Sequence, residues 1–194
     1  MRAAVAVPML ALLTGIAGCS SETTATTEIP ACTTGDDGDA ANGVVLMAQS
    51  VPTADWVPCL RAALPLGWNF HHLDARDHVA RFWLDSDRDG QQAIEVSLRQ
   101  SCDTDGATRI PSERDGMVRF ERVGQTSPNF RGERYYVFGG GCITFTFQLA
   151  GEERGEALAL ATQAVGAVSR ADLRAQVHDE SGGRLSLDPA SEDD

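Results

Sequence analysis

Ile143-Thr144-Phe145-Thr146-Phe147-Gln148-Leu149 alternates large apolar and polar side chains without a break. Successive side chains of a strand point to opposite faces, so this run reads as a strand with one face buried and the other wet. The same period of two recurs at Ile94, Val96 and Leu98 against Glu95, Ser97 and Arg99, and at Leu66, Trp68, Phe70 and His72 against Gly67, Asn69 and His71. Shorter candidates lie at 79–84, 117–123 and 134–138, separated by turn-rich pieces such as Asp89-Gly90, 126–132 and Gly139-Gly140-Gly141. Together they predict an antiparallel sheet of about six strands connected as a meander. The longest gap, 101–116, holds Cys102 and reads as a loop pinned by a disulfide.

The flanks supply helices. Val44-Val45-Leu46-Met47 opens the domain as a short buried strand or a turn of helix, two forms that periodicity does not separate. Asp55 is placed to cap a helix over 56–64, with Pro58 in the first turn and Pro65-Leu66-Gly67 ending it. Beyond the sheet, Leu158, Ala161, Val165 and Val168 form a helical stripe over 155–168. Ser169 and Asp172 then make a capping box that opens a short helix ending near Gly182-Gly183. The expected architecture is one α+β domain over 43–182, with helices packed on one face of the sheet and no internal repeat. Residues 19–42, rich in Ser and Thr and carrying Asp36-Asp37-Gly38-Asp39, read as a flexible acidic tether, and 183–194 as a disordered acidic tail.

Of the 194 residues 42% are hydrophobic, enough for a real core, while 28 acidic residues face 16 basic ones. That balance excludes a nucleic-acid partner, because affinity for phosphate backbones needs clustered positive charge. Every basic residue is Arg, so no lysine nucleophile or Schiff base is available. Met1-Arg2, the apolar run 3–14 and the small residues 15–18 compose a secretory signal too short to span a bilayer. The quartet Ile16-Ala17-Gly18-Cys19 resembles the lipobox of bacterial lipoproteins. That resemblance implies cleavage of 1–18, acylation of Cys19 with palmitate-type chains, and anchoring at the extracytoplasmic face of the cell membrane, where several acyl chains hold stably. The mature chain keeps 15 Arg against 28 acids, a net charge of −13. Val44-Val45-Leu46-Met47, Trp56-Val57-Pro58-Cys59 and Phe82-Trp83-Leu84-Asp85 resemble small secreted lipoproteins of actinobacteria, a likeness that implies no activity.

With Cys19 assigned to lipid, Cys32, Cys59, Cys102 and Cys142 remain, an even number in an oxidising compartment. Two disulfides are expected, with three connectivities open. A zinc site is disfavoured because separations of 27, 43 and 40 contain no close ligand pair.

Four patterns carry potential chemistry. Asp85-Ser86-Asp87-Arg88-Asp89-Gly90 matches the first half of a calcium loop, with Asp85, Asp87 and Asp89 as ligands, but position twelve falls on Val96 and the plain alternative is a solvated hairpin turn. His71, His72 and His78, with Asp74 and Asp77 between them, could supply a metal or acid-base pair, although His71 and His72 should face opposite ways. Gly139-Gly140-Gly141 is followed by a strand and therefore reads as a turn, not a phosphate cradle. On the strand 79–84, Ala80, Phe82 and Leu84 face the core, which leaves Arg81 and Trp83 on the polar face, joined by Glu95, Arg99, Arg119 and Glu121. The expected function is a non-enzymatic binding or interaction module that meets an envelope protein or a small molecule through Arg81 and Trp83 and needs no cofactor. The alternative is a calcium-dependent envelope factor or enzyme built on the acidic loop.

Overall fold

The computed structural model describes residues 23–32, 42–61, 64–150 and 154–188, and in it every period-two run becomes a strand. The chain begins with β1 (Thr24–Thr26), α1 (Asn42–Ser50) and β2 (Trp56–Leu60). It continues through β3 (Trp68–Arg76), β4 (Val79–Ser86), β5 (Gly90–Arg99), β6 (Thr108–Ile110), β7 (Val118–Gln125), β8 (Phe130–Phe138) and β9 (Gly141–Leu149). It closes with α2 (Arg154–Ala164), β10 (Val165–Ser169) and α3 (Arg170–Glu180). The fold is α+β and antiparallel as expected, with eight strands in the main sheet and two in a separate ribbon of β10 and β2.

The main sheet is not one meander. Its order, β1-β3-β4-β5-β9-β8-β7-β6, joins two meanders by pairing β5 with β9. To leave β5 and start β6 at the far edge, the chain must cross β9, β8 and β7. The crossing segment carries Cys102, bonded to Cys142 at the start of β9, and Arg122 of β7 donates to the Asp105 carbonyl at 2.8 Å. Cys32 pairs with Cys59, so both expected disulfides are present. The gap that reads as loop also holds β6, three residues paired with Thr108 opposite Glu121.

One face of this sheet is the core. Leu73, Phe82, Val96 and Phe145 lie in register across β3, β4, β5 and β9, all essentially inaccessible. Over them pack α1, through Val44, Met47 and Ala48, and the β2–β10 ribbon with α2 and α3. Fully burying side chains of this size contributes roughly 1.5–3 kcal/mol apiece.

Four local expectations are corrected. Residues 56–60 form a strand, not a helix: Val57, Pro58, Cys59 and Leu60 are consecutively buried, so no helical stripe exists, and β2 is held by β10 on one side and by an Ala31–Leu60 bridge on the other. Asp55 caps nothing there; its N–H donates to the Gly139 carbonyl and its own carbonyl accepts from the Arg170 N–H. The helix expected over 155–168 ends at Ala164, and Val165-Gly166-Ala167-Val168 switches to strand because Gly166 lies opposite Cys59, where a Cβ would stand 2.8 Å from the Cys32 sulfur. The ends of the domain also extend further than expected. Residues 24–32 are docked rather than tether, through β1 on β3 and the Cys32 disulfide, and Leu187, placed in the tail, is buried. Cys19 and 189–194 lie outside the described residues.

Two turn readings hold. Ser169 accepts the Asp172 N–H at 3.0 Å and its hydroxyl donates to the Asp172 carboxylate at 2.7 Å, so the expected pair caps α3, with the carboxylate on the Ser169 hydroxyl rather than on its backbone N–H. Gly140 has φ +64° and packs so closely that a Cβ would meet the Thr53 carbonyl oxygen at 1.8 Å. Only glycine fits both demands.

Candidate binding face

The face of the sheet away from the helices is assembled by strand register. Trp83 lies opposite Glu95, Glu95 opposite Thr146, Thr146 opposite Glu133 and Glu133 opposite Arg122, a single row across β4, β5, β9, β8 and β7. Beside it runs a second row, Arg81, Ser97, Thr144, Tyr135 and Phe120. Arg81 and Trp83 thus stand together on the polar face, the arrangement read from the alternation of β4.

The indole of Trp83 is not a bare anchor. Only 7% of the residue is accessible. Its Nε1–H donates to Glu95 at 3.0 Å, His72 stacks on it at 4.4 Å with an interplanar angle of 22°, and the Arg81 guanidinium sits 5.2 Å from its centroid. A bulge makes this possible. Phe70 pairs with Leu84 and Leu73 with Phe82, so His71 and His72 share the place opposite Trp83. His72, which the uninterrupted alternation groups with Trp68 and Phe70, is thereby moved to the polar face, where it also lies 3.5 Å from Asp74. His72 and Arg81 thus both pack against the Trp83 indole.

At the other end of the row, Arg122 pairs with Glu133 at 2.7 Å and lies 5.5 Å from the Tyr135 centroid. Tyr135 donates to Glu133 at 2.8 Å. Burial and that carboxylate push the Tyr135 phenol up to about 12, so it stays protonated and acts as a donor. Next to this cluster opens a cleft of about 300 Å³ lined by Arg122, Arg131, Glu133, Thr146 and Gln148.

Arg119 and Glu121, expected here, point the other way. Arg119 lies opposite Tyr136 and Glu121 opposite Arg134, on the core side, because β7 begins one residue out of the assumed phase. There they complete a chain that composition did not reveal. Tyr136 donates to Glu113, Arg119 bridges Glu113 and Glu121, and Arg134 donates to Glu121 at 2.7 Å. Burial pushes the Glu121 carboxyl up, but the bonds from Arg119 and Arg134 outweigh it and hold the group below the ordinary range. Every charge in this chain has an opposite partner, which fits a seal on the core where the helical layer ends. The signal available in sequence was the alternation Arg119, Glu121 against Arg134, Tyr136 on neighbouring strands.

The acidic loop is a closed hairpin turn. Asp85 accepts the Gln92 N–H at 2.7 Å and meets His71 Nδ1 at 2.8 Å, while Ser86 donates to Asp89 at 3.1 Å and accepts its N–H at 3.1 Å. Asp85, Asp87 and Asp89 do not converge: among the described residues no three His, Cys, Asp or Glu side chains are placed to hold one metal ion. His78 sits apart in the β3–β4 turn with φ +67°. No helix among the described residues is long and apolar enough to cross a membrane. Comparison with protein-family models, with curated proteins and with solved structures finds no significant match to this chain.

Proposed function

We propose that the chain is a lipid-anchored, extracytoplasmic binding module, non-enzymatic, that meets its partner through the polar face of the main sheet. The observation that carries this reading is the asymmetry of that sheet. One face is covered by helices and a ribbon, while the other presents Trp83, Glu95, Thr146, Glu133 and Arg122 in one row that opens onto a cleft. Aromatic and Arg side chains are the types that carry interface energy, and here they are preorganised by stacking and ion pairing.

Two experiments test it. In an actinobacterial host, the full chain should fractionate with membranes and Cys19→Ala should appear in the soluble extracytoplasmic fraction; a Cys19→Ala protein still held by membranes refutes the anchor. For the face, a photo-crosslinking amino acid in place of Arg81 should give a discrete adduct on intact cells, whereas the same group at Asp179 on α3 should not. Adducts from position 179 alone, or equal yields at both, refute the site.

A further inference from the structure

The lipidated cysteine and the first strand are close in sequence, and the first strand is part of the sheet. Thr24, Ala25 and Thr26 pair with Ala75, Asp74 and Leu73, making β1 the edge of the main sheet. The chain after β1 is equally fixed. The Leu60 N–H donates to the Pro30 carbonyl at 2.7 Å, the Cys32 N–H to the Leu60 carbonyl at 2.8 Å, and Cys32 is bonded to Cys59. The leash between Cys19 and the domain is therefore five residue steps, which even fully extended span only about 17 Å.

We infer that the domain stands on the bilayer by its β1–β3 edge, with the β7–β6 edge and the cleft beside Arg122 directed away from the membrane. This rests on the anchoring of Cys19 proposed above. Neighbouring strands are about 4.8 Å apart, so eight strands place the far edge about 34 Å beyond β1. Among the described residues neither face has a means of lying flat on lipid. The mature chain carries −13, which anionic headgroups repel. Among the described residues the exposed large apolar side chains are Ile29, Leu66, Val123 and Leu185, one on β7 and the others in three different connecting or terminal segments. The leash alone holds the domain, and it pulls on one edge. The surface presented outward suits a partner in the aqueous envelope or the wall rather than one embedded in the same bilayer.

The test uses the full lipidated chain in phosphatidylcholine nanodiscs that contain a gadolinium-chelating lipid. Paramagnetic broadening of methyl signals is read at Ala25, Ala75 and Val79 near β1 and at Ile110 and Val123 near the far edge. The two sets lie four to seven strand spacings apart, about 19–34 Å, so the near methyls should relax about tenfold or more faster than the far ones. Equal broadening on both sides, or stronger broadening at Ile110 and Val123, overturns the orientation. A Gly/Ser insertion of about twenty residues after Ser21 frees the edge and should abolish the contrast. A contrast that survives the insertion shows that surface attraction, not the leash, orients the domain, and overturns the inference. Mass analysis of the Cys19 peptide keeps the two readings apart. An unacylated Cys19 fails the anchor itself, and the orientation with it, whereas an acylated chain with uniform broadening fails the orientation alone.

Discussion

Arg170→Met is expected to destabilise the domain by about 3–5 kcal/mol, because it leaves several buried backbone carbonyls without a donor, at roughly 1–3 kcal/mol each. Arg170 is 4% exposed. Its Nε–H donates to the Ala54 carbonyl at 2.8 Å, one terminal nitrogen donates to the Ala48 carbonyl and to the Val51 carbonyl at 2.7 Å, and the other reaches the Asp188 carbonyl at 3.4 Å. Ala48 lies in the last turn of α1, where unpaired carbonyls concentrate negative charge. One side chain thus ties the end of α1, the segment entering β2, the start of α3 and the C-terminal segment together. Methionine fills most of the volume but donates nothing, and backbone carbonyls, unlike a carboxylate partner, cannot be mutated away. Each one left dry costs about 1–3 kcal/mol. Urea unfolding followed by tryptophan fluorescence should show a lower midpoint at unchanged slope. A shift smaller than that of an ordinary surface substitution, about 0.5 kcal/mol, would mean that water replaces the guanidinium at no cost. Arg170→Lys, which keeps charge but not the fork, should fall between the two.

Arg170 also shows where sequence reading stops. A cation in the first turn of a helix opposes the macrodipole, and it directly follows the capping Ser169. That conflict was the available sign that the side chain serves something other than its own helix. What it serves lies more than a hundred residues upstream, and no local pattern encodes that.

The same division runs through the fold. The strands β5 and β9 were legible because half-buried strands write burial directly as alternation, and the Ser169 cap of α3 because its partners are three residues apart. β2 was not, because a strand buried on both sides has no period, and Asp55 and Pro58 carry the same signals as a helix start. α2 passes into β10 with a lone Gly166 as the local break, and the pairing of Gly166 with Cys59 fixes where the strand begins. β1 was invisible as a strand: three residues of Thr and Ala become one only because the edge of β3 lies beside them. For the candidate face, Arg81 and Trp83 followed from parity along β4, whereas His72 required a bulge, and Arg122 and Glu133 required the register of β7 on β8.

Topology gives the second large effect. Removing the Cys102–Cys142 bond, by Cys102→Ala with Cys142→Ala, should cost about 4 kcal/mol by loop-closure entropy for a separation of 40 residues. The loss should also be local in a way that entropy alone does not dictate. The bond pins the one segment that crosses three strands to deliver β6, and β6 then has only its three pairs with β7 and the Arg122 bond to the Asp105 carbonyl. Amide exchange at Thr108–Ile110 and along β7 should therefore rise well before β4 and β5 open. Breaking Cys32–Cys59 instead, with a separation of 27 residues, should cost slightly less, about 3.6 kcal/mol, and expose β1 while leaving β6 protected. Exchange that rises uniformly across the sheet in both variants would show that the bonds act only on the unfolded chain. Exchange that follows the bond removed would show that each holds one edge of the sheet: Cys32–Cys59 the edge formed by β1, Cys102–Cys142 the edge formed by β6.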